Sequence, residues 1–257
     1  MDVAKGKMLY EGKAKRLYET ENPDELVMEF KDSLTAFDAI KKDTLKGKGA
    51  INNQVSALIM GMLNEMGVST AFIRLLDETH SLVRRVTIVL LETIVRYEAH
   101  GSLCRRYGID AGTPVDPPLV EFGYKCDELH DPFLTEEIAA LMGLATLEEM
   151  AQMRYLAIVT GERLKEIYLR QGIRLLDFKL EFGRFSPQRD WHDEHTGQEF
   201  RAGQTYLLLA DEVTPDTCRL VDAVTGEKLD KDLFRFDLGD VGEGYRKLLT
   251  RMKGGAA

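Results

Sequence analysis

The sequence predicts a fold that mixes strands with helices. Short runs of alternating apolar and polar residues dominate its first third. A long apolar stripe at helical spacing runs from about residue 146 to 171, and two strand-like runs, 174–185 and 204–213, follow it.

In chain order, Met8–Tyr10 and Lys15–Glu19 flank the turn-like EGKA. Leu26–Phe30 alternates and meets KDSLTAFDA, which reads as a polar loop. Ile51, Val55, Leu58, Ile59, Met62 and Leu63 predict a helix ended by Gly67. Strands resume at 71–76, 82–86 and 88–96. Ser102–Tyr107 reads as a short helix before Gly108, and TPVDPPLVEF as a proline-rich turn entering a strand toward Tyr124 and Lys125. Thr135 is a candidate N-cap for a helix to Met142. Leu147, Met150, Met153, Leu156 and Leu164 belong to the stripe of the long helix that Gly172 ends. The runs 174–185 and 204–213 read as a hairpin with a long connection. Residues 231–252 read as largely helical, weakened by Gly239 and Gly242, and GGAA as a frayed tail.

Composition excludes several classes. No apolar run reaches the roughly 18 residues of a membrane span, and the N-terminus lacks the apolar stretch of a secretory signal, so a cytoplasmic protein is expected. Cys104, Cys126 and Cys218 stand far apart with no CxxC pair, which speaks against a disulfide framework or zinc cluster. A net charge of −9 makes a broad nucleic-acid surface implausible. Small anions then need locally concentrated cations.

Four places concentrate chemistry. In YEGKAKRLY, a Gly with Lys13, Lys15 and Arg16 can cover a polyphosphate, although it is no Walker loop and a basic tip is equally a solvated turn. In LLDFKLEFG, strand alternation puts Asp177, Lys179 and Glu181 on one face and Leu176, Phe178, Leu180 and Phe182 on the other. Asp211 and Glu212 come near on the facing strand. Four carboxylates around one lysine repel without a cation, which Mg²⁺ on ATP phosphates would supply; a plain charged face is the competing reading. In VRYEAHGSLCRR, Arg96 and Ser102 at a helix start suit an anion, or a simple N-cap. Asp216 with Arg219, Asp38, and the KGKGAINN tract are weaker. His192 and His195 fit no zinc-protease spacing, and Trp191 beside them can cap their loop or touch a neighbouring subunit.

Taken together, YEGKAK, AFDA, KGKGAINN, GSLCRR, PPLVEF, LLDFKLEFG, ADEVTPDTCRL and EKLDKDLFR make the chain resemble the phosphoribosylaminoimidazole-succinocarboxamide synthase family, in that family's order and over nearly the whole length. The resemblance implies an α+β, two-lobed fold: an antiparallel N-terminal lobe over about 1–90 and a mixed ATP-binding lobe with a C-terminal helix over 91–257. It implies Lys13, Ala14 and Lys15 at the nucleotide, with Glu181 and Asp211 holding Mg²⁺–ATP. It implies Arg96, Ser102 and Arg219 at the ribonucleotide phosphate. Lys179, Lys125, Asp216 and Arg235 would line the substrate and aspartate sites, the first three as catalytic groups, and Asp38 a substrate loop. The implied activity joins aspartate to a phosphoribosyl imidazole carboxylate through an acyl phosphate, in a homodimer. A paralogue acting on a related heterocyclic carboxylate, a small-molecule kinase and a non-catalytic binder stay open. The chain departs from the family pattern at Leu90, Tyr97, His100, Val221 and Ala39 and in the length of the 186–203 connection. These departures are expected mostly on the ribonucleotide side.

Overall fold

A computed structural model describes residues 3–36, 41–193 and 197–254. Strands β1 (Met8–Glu11), β2 (Lys15–Glu19), β3 (Glu25–Phe30), β4 (Ser33–Ala36) and β5 (Lys41–Thr44) precede helix α1 (Lys48–Glu65). Next come β6 (Phe72–Leu75), β7 (His80–Arg84), β8 (Val86–Glu98), α2 (Ser102–Tyr107), β9 (Pro114–Tyr124), β10 (Phe133–Leu134), α3 (Glu136–Leu141) and α4 (Leu147–Leu169). The remainder is β11 (Ile173–Phe185), β12 (Trp191–His192), β13 (Glu199–Phe200), β14 (Tyr206–Ala210), β15 (Cys218–Asp222), α5 (Asp232–Arg235) and α6 (Val241–Met252). The fold is α+β, and the pairings of its strands are antiparallel. No described helix is long and apolar enough to cross a membrane.

One sheet has the order β1-β2-β3-β7-β6; the larger runs β10-β9-β8-β11-β14, with β15 also on β11. Helix α4 packs on β11. It is started by a capping box, in which Thr146 Oγ1 accepts from Glu149 N and Glu149 accepts from Thr146 N. Its Met150, Met153, Ala157 and Leu164 join α1's Val55, Ile59 and Leu63 and α6's Leu248 and Met252 in one core. Phe178, Leu180 and Phe182 of β11 enter that core, so Lys179 and Glu181 face away from it. Strict alternation fails at one point. Ile173 and Leu175 share the same core, not Leu176, because a register irregularity between Leu175 and Asp177 changes the parity of the strand.

Several elements differ from the expectation. The loop at 31–39 holds β4, which pairs β5. Asp32 there accepts hydrogen bonds from Gly47 N (3.1 Å) and Gly49 N (2.9 Å) and so caps α1 from a distance. The proline-rich turn is the start of β9. It tolerates prolines because β10 pairs β9 only at Phe122 and Gly123, leaving the proline end unpaired on that side. Residues 218–222, for which the sequence suggested no helix or strand, form β15. The C-terminal helix is two helices, broken where Asp237 takes φ 53° and Gly239 φ 154°. Asp240 restarts it by accepting from Gly242 N and Glu243 N.

The long connection is docked. Trp191 packs edge-on to Phe185 (5.7 Å between centroids), and the Arg84 guanidinium lies 5.0 Å from the Trp191 ring and 2.6 Å from Asp193. Trp191 therefore caps its own loop. His192 is exposed and bonds Glu199. His195, Asp38 and Ala39 lie outside the described residues.

Candidate active site

The site originates in how β11 is shared. One of its edges runs along β8. The other is taken by two strands placed end to end: β15 covers 173–178 and β14 covers 181–185. Between them Lys179 N donates to Thr217 O (2.8 Å), and the intervening chain, Asp211–Thr217, leaves the sheet as a turn. This is why Asp211, Glu212 and Asp216 meet Lys179 and Glu181. Asp211 opens the turn at φ 60°, a left-handed conformation that costs about 1 kcal/mol or more outside glycine. Aspartate is among the few side chains that tolerate it.

Three lysines converge on these acids. Lys15, from β2 of the smaller sheet, lies 2.5 Å from Asp211 and 2.7 Å from Glu212. Lys125, just past β9, lies 2.5 Å from Glu181. Lys179 lies 2.5 Å from Glu92 and 3.7 Å from Glu181. Burial would lower the Lys15 and Lys179 ammonium pKa values, but the surrounding carboxylates outweigh it and hold both above the ordinary value. Glu181 is pushed up, first by burial and then by Asp211. Asp211 is held low because Lys15, Lys125 and Lys179 overcome its burial. Lys13 reaches Asp127 (2.6 Å) at the rim, next to Ala14.

Three cavities adjoin here. An apolar slot of about 320 Å³ lies between the sheets, lined by Leu17, Met28, Phe30, Met60 and Leu90, with Lys15, Glu181 and Asp211 also on its wall. A polar trench of about 540 Å³ carries Lys13, Lys15, Lys125, Lys179, Glu181 and Asp211. A third cavity of about 290 Å³ contains Arg96, Ser102, Asp177, Lys179 and Arg219. An apolar slot suits a flat heteroaromatic ring, a lysine-rich trench a polyphosphate, and an arginine pocket a second phosphate.

Among the described residues no three His, Cys, Asp or Glu side chains converge as a metal cage. Two adjacent carboxylate side chains, Glu181 and Asp211, do, with oxygen donors only, and burial and then Asp211 both act against the charge of Glu181. That pair of oxygen donors fits a hard divalent ion that takes its remaining ligands from phosphates and water.

The arginine pocket rests on Asp177. Arg96 Nη1 lies 3.1 Å and Arg219 Nη1 2.7 Å from the same oxygen. Arg96 also bonds Glu121 (2.7 Å) and donates to Ser102 Oγ (3.0 Å), while Arg219 and Arg235 both hold Asp232. Gly101 at φ 58° lets α2 start there, because a Cβ would stand 2.6 Å from the Arg219 guanidinium. Asp216 has both oxygens engaged, by Lys48 (2.6 Å), Asn52 (3.1 Å) and Tyr245 OH (2.5 Å).

Behind the pocket, Asp230 accepts from Leu220 N and Asp232 N. Burial, then Asp232, pushes its pKa up to about 6. The folded state therefore binds this proton more tightly than the unfolded chain does. Stability from this group is present at low pH and declines as pH rises from about 4 to about 6, by on the order of 2–3 kcal/mol. Denaturant melts across that window should show wild type losing this amount relative to Asp230→Asn. Parallel curves would refute it.

The structure thus gathers Lys13, Ala14, Lys15, Lys125, Lys179, Glu181, Asp211, Asp216 and Arg235 around the trench, and Arg96, Ser102 and Arg219 in the adjoining pocket. Sequence reasoning missed Glu92, Asp131, Lys231 and Asp232. Asp131, at φ 46° in the loop after Lys125, lines both the trench and the pocket, and burial and then Glu92 raise its pKa. The HDP triplet there was its only signal. Of the departures, Leu90 lines the apolar slot, away from the arginine pocket. Tyr97 bonds Glu162 on α4, and Val221 is buried in β15.

Comparison with known proteins agrees in sequence and in fold. The family model SAICAR synthetase matches residues 8–252. A phosphoribosylaminoimidazole-succinocarboxamide synthase from Persephonella marina is 47% identical over 98% of both chains, and one from Shouchella clausii 45% over 98% of both. Among solved structures, the synthase from Ehrlichia chaffeensis superposes with a TM-score of 0.87 at 38% identity, covering 98% of this chain and 100% of that one. A type-2 SAICAR synthetase in complex with ADP gives 0.85 at 39%, covering 98% and 99%.

Proposed function

Since the chain belongs to the SAICAR synthetase family, we infer that it is the ATP-dependent ligase joining aspartate to the carboxylate of 5-amino-1-(5-phosphoribosyl)imidazole-4-carboxylate in de novo purine synthesis. The observation that carries this is the line of three cavities: apolar slot, lysine–carboxylate trench, arginine pocket. One accepts adenine, the next the polyphosphate, the last the ribonucleotide phosphate. The ADP found in a relative of this fold supports the nucleotide end.

A carboxylate carbon is a poor electrophile, so the imidazole carboxylate must first take the γ-phosphoryl group of ATP. The resulting acyl phosphate is attacked by the aspartate amine, and phosphate leaves. Lys15 and Lys13 draw the polyphosphate into the trench, while Lys125 and Lys179 offset charge on the transferring group and the imidazole carboxylate. Glu181 and Asp211 would hold Mg²⁺, which when bound neutralises phosphate charge as a Lewis acid. Arg96, Ser102 and Arg219 hold the ribonucleotide phosphate, with Arg235 toward the substrates. Asp216, clamped on both oxygens, fixes the turn that carries Asp211. We place the boundary between the lobes near residue 90 and assign the protein to the cytoplasm as a homodimer.

Steady-state assays with ATP, the imidazole ribonucleotide and a panel of amino acids test the reaction. The expected result is ADP and free phosphate in step with an aspartyl amide. Phosphate retained on an organic product would point to a kinase instead. In the same assay Arg96→Ala should raise the ribonucleotide KM by roughly 10- to 100-fold, the value of one charge-assisted contact or two, with little change for ATP. A change confined to ATP would reverse the assignment of the two ends.

A further inference from the structure

Aspartate arrives as an ammonium ion, which cannot attack. The reaction proposed above therefore needs a base where the trench meets the arginine pocket. Three cations line both cavities there: Lys179, Arg235 and Lys231. Lys179 is paired with Glu92, and Arg235 with Asp232. Lys231, the residue before α5, makes no side-chain hydrogen bond or ion pair with a described residue; only its backbone is engaged, its N–H donating to Pro215 O (3.1 Å) and its carbonyl accepting from Phe234 N (3.1 Å) and Arg235 N (3.0 Å). Asp216 at the same junction has both oxygens occupied and cannot serve.

We propose that Lys231, as the neutral amine, takes the proton from the aspartate ammonium as that nitrogen attacks the acyl phosphate. An ammonium loses two protons on the way to an amide. The first goes to Lys231 and frees the nitrogen lone pair that forms the C–N bond. The C–O bond to phosphate breaks with its electron pair leaving on phosphate. The second proton passes from nitrogen to that phosphate, which departs as hydrogen phosphate while Lys231 returns its proton to solvent. The inference rests on the acyl-phosphate reading above. The groups facing Lys231 are Lys48 from α1, Glu212 and Asp216 from the turn, and Arg235 from α5. Burial lowers its proton affinity; Asp216 and Glu212 oppose this, Arg235 and Lys48 add to it, and the net shift is below the ordinary lysine value.

Hydroxylamine tests the idea because it is largely uncharged near neutral pH and attacks acyl phosphates without a base. Lys231→Met should lose about 100-fold or more in aspartate-dependent turnover yet form hydroxamate from ATP and the ribonucleotide within about threefold of wild type. That retained reaction also reports an intact fold. Lys231→Arg keeps the charge but cannot be deprotonated, and should be as slow with aspartate as the Met variant. Near-wild-type turnover by the Arg variant would overturn the proposal in favour of a plain cation, and so would equal loss of both reactions by Lys231→Met. Wild type that forms the amide but no hydroxamate would sink the acyl-phosphate reading itself.

Discussion

Glu181→Gln is expected to lower kcat by roughly a thousandfold, the scale of removing one preorganised charge from a transition state or metal site. The substitution is isosteric, so it removes charge and metal-ligand strength without changing shape. Glu181 lies in a buried site beside Asp211, and burial and then Asp211 raise its pKa, so the fold works against its charged form. A neutral side chain relieves the repulsion, while Lys125 and Lys179 lose a partner. Tm should therefore hold or rise as activity falls, the pattern of a residue kept for function at the expense of stability. Tyr97→Asn is the comparator. Its hydroxyl meets Glu162 outside the cavities and its ring leans on Phe178 at 6.3 Å, so it should cost some stability and change kcat by less than about threefold. Initial rates at saturating ATP decide the matter. Equal, mild losses for the two variants would remove Glu181 from the metal site.

Lys48→Met should be the most destabilising of the single changes considered, by about 3–5 kcal/mol. Lys48 is 1% exposed, and its ammonium lies 2.6 Å from Asp216, a carboxylate nearly as buried. Removing the lysine leaves a buried carboxylate that keeps hydrogen bonds from Asn52 and Tyr245 but loses its ion-pair partner. At this chain length the loss corresponds to a fall in Tm of about 10 °C. Lys48→Met combined with Asp216→Asn should lose less than the sum of the single changes, because no orphan charge remains. The loss should reach activity too, since Asp216 anchors the turn that presents Asp211. Chemical denaturation of the two single variants and the double variant measures the coupling. A cost below about 1 kcal/mol for Lys48→Met would show that the pair is not desolvated.

Much of this was legible in the residues. The alternation in LLDFKLEFG put Lys179 and Glu181 on one strand face, and in the fold that face looks away from the α4 core. Thr135 and Thr146 marked helix starts that their side chains make. Residues 231–252 are largely helical, with the break falling around Gly239, one of the two glycines that weakened that reading; apolar spacing alone did not register that the interruption spans 236–240, with positive φ at Asp237 and Gly239. Motif order did not say which cavity Leu90 would face, and it lines the apolar slot, since a residue's side of a cleft depends on which strand crosses which.

By itself the sequence determined the periodicities, the caps, the basic turn at Lys13 and Lys15 and the acidic strand at Glu181, because each of these depends on neighbours a few residues away. Only the tertiary structure decided that Glu92 pairs with Lys179, that Lys48 and Tyr245 clamp Asp216, and that the Lys231 side chain stands without a hydrogen-bond or ion-pair partner among the described residues where two cavities meet. Those relations join residues tens to almost two hundred positions apart. They exist because β14 and β15 divide one edge of β11 and push the chain between them into the cleft, an arrangement set by long-range strand pairing and not by any local pattern.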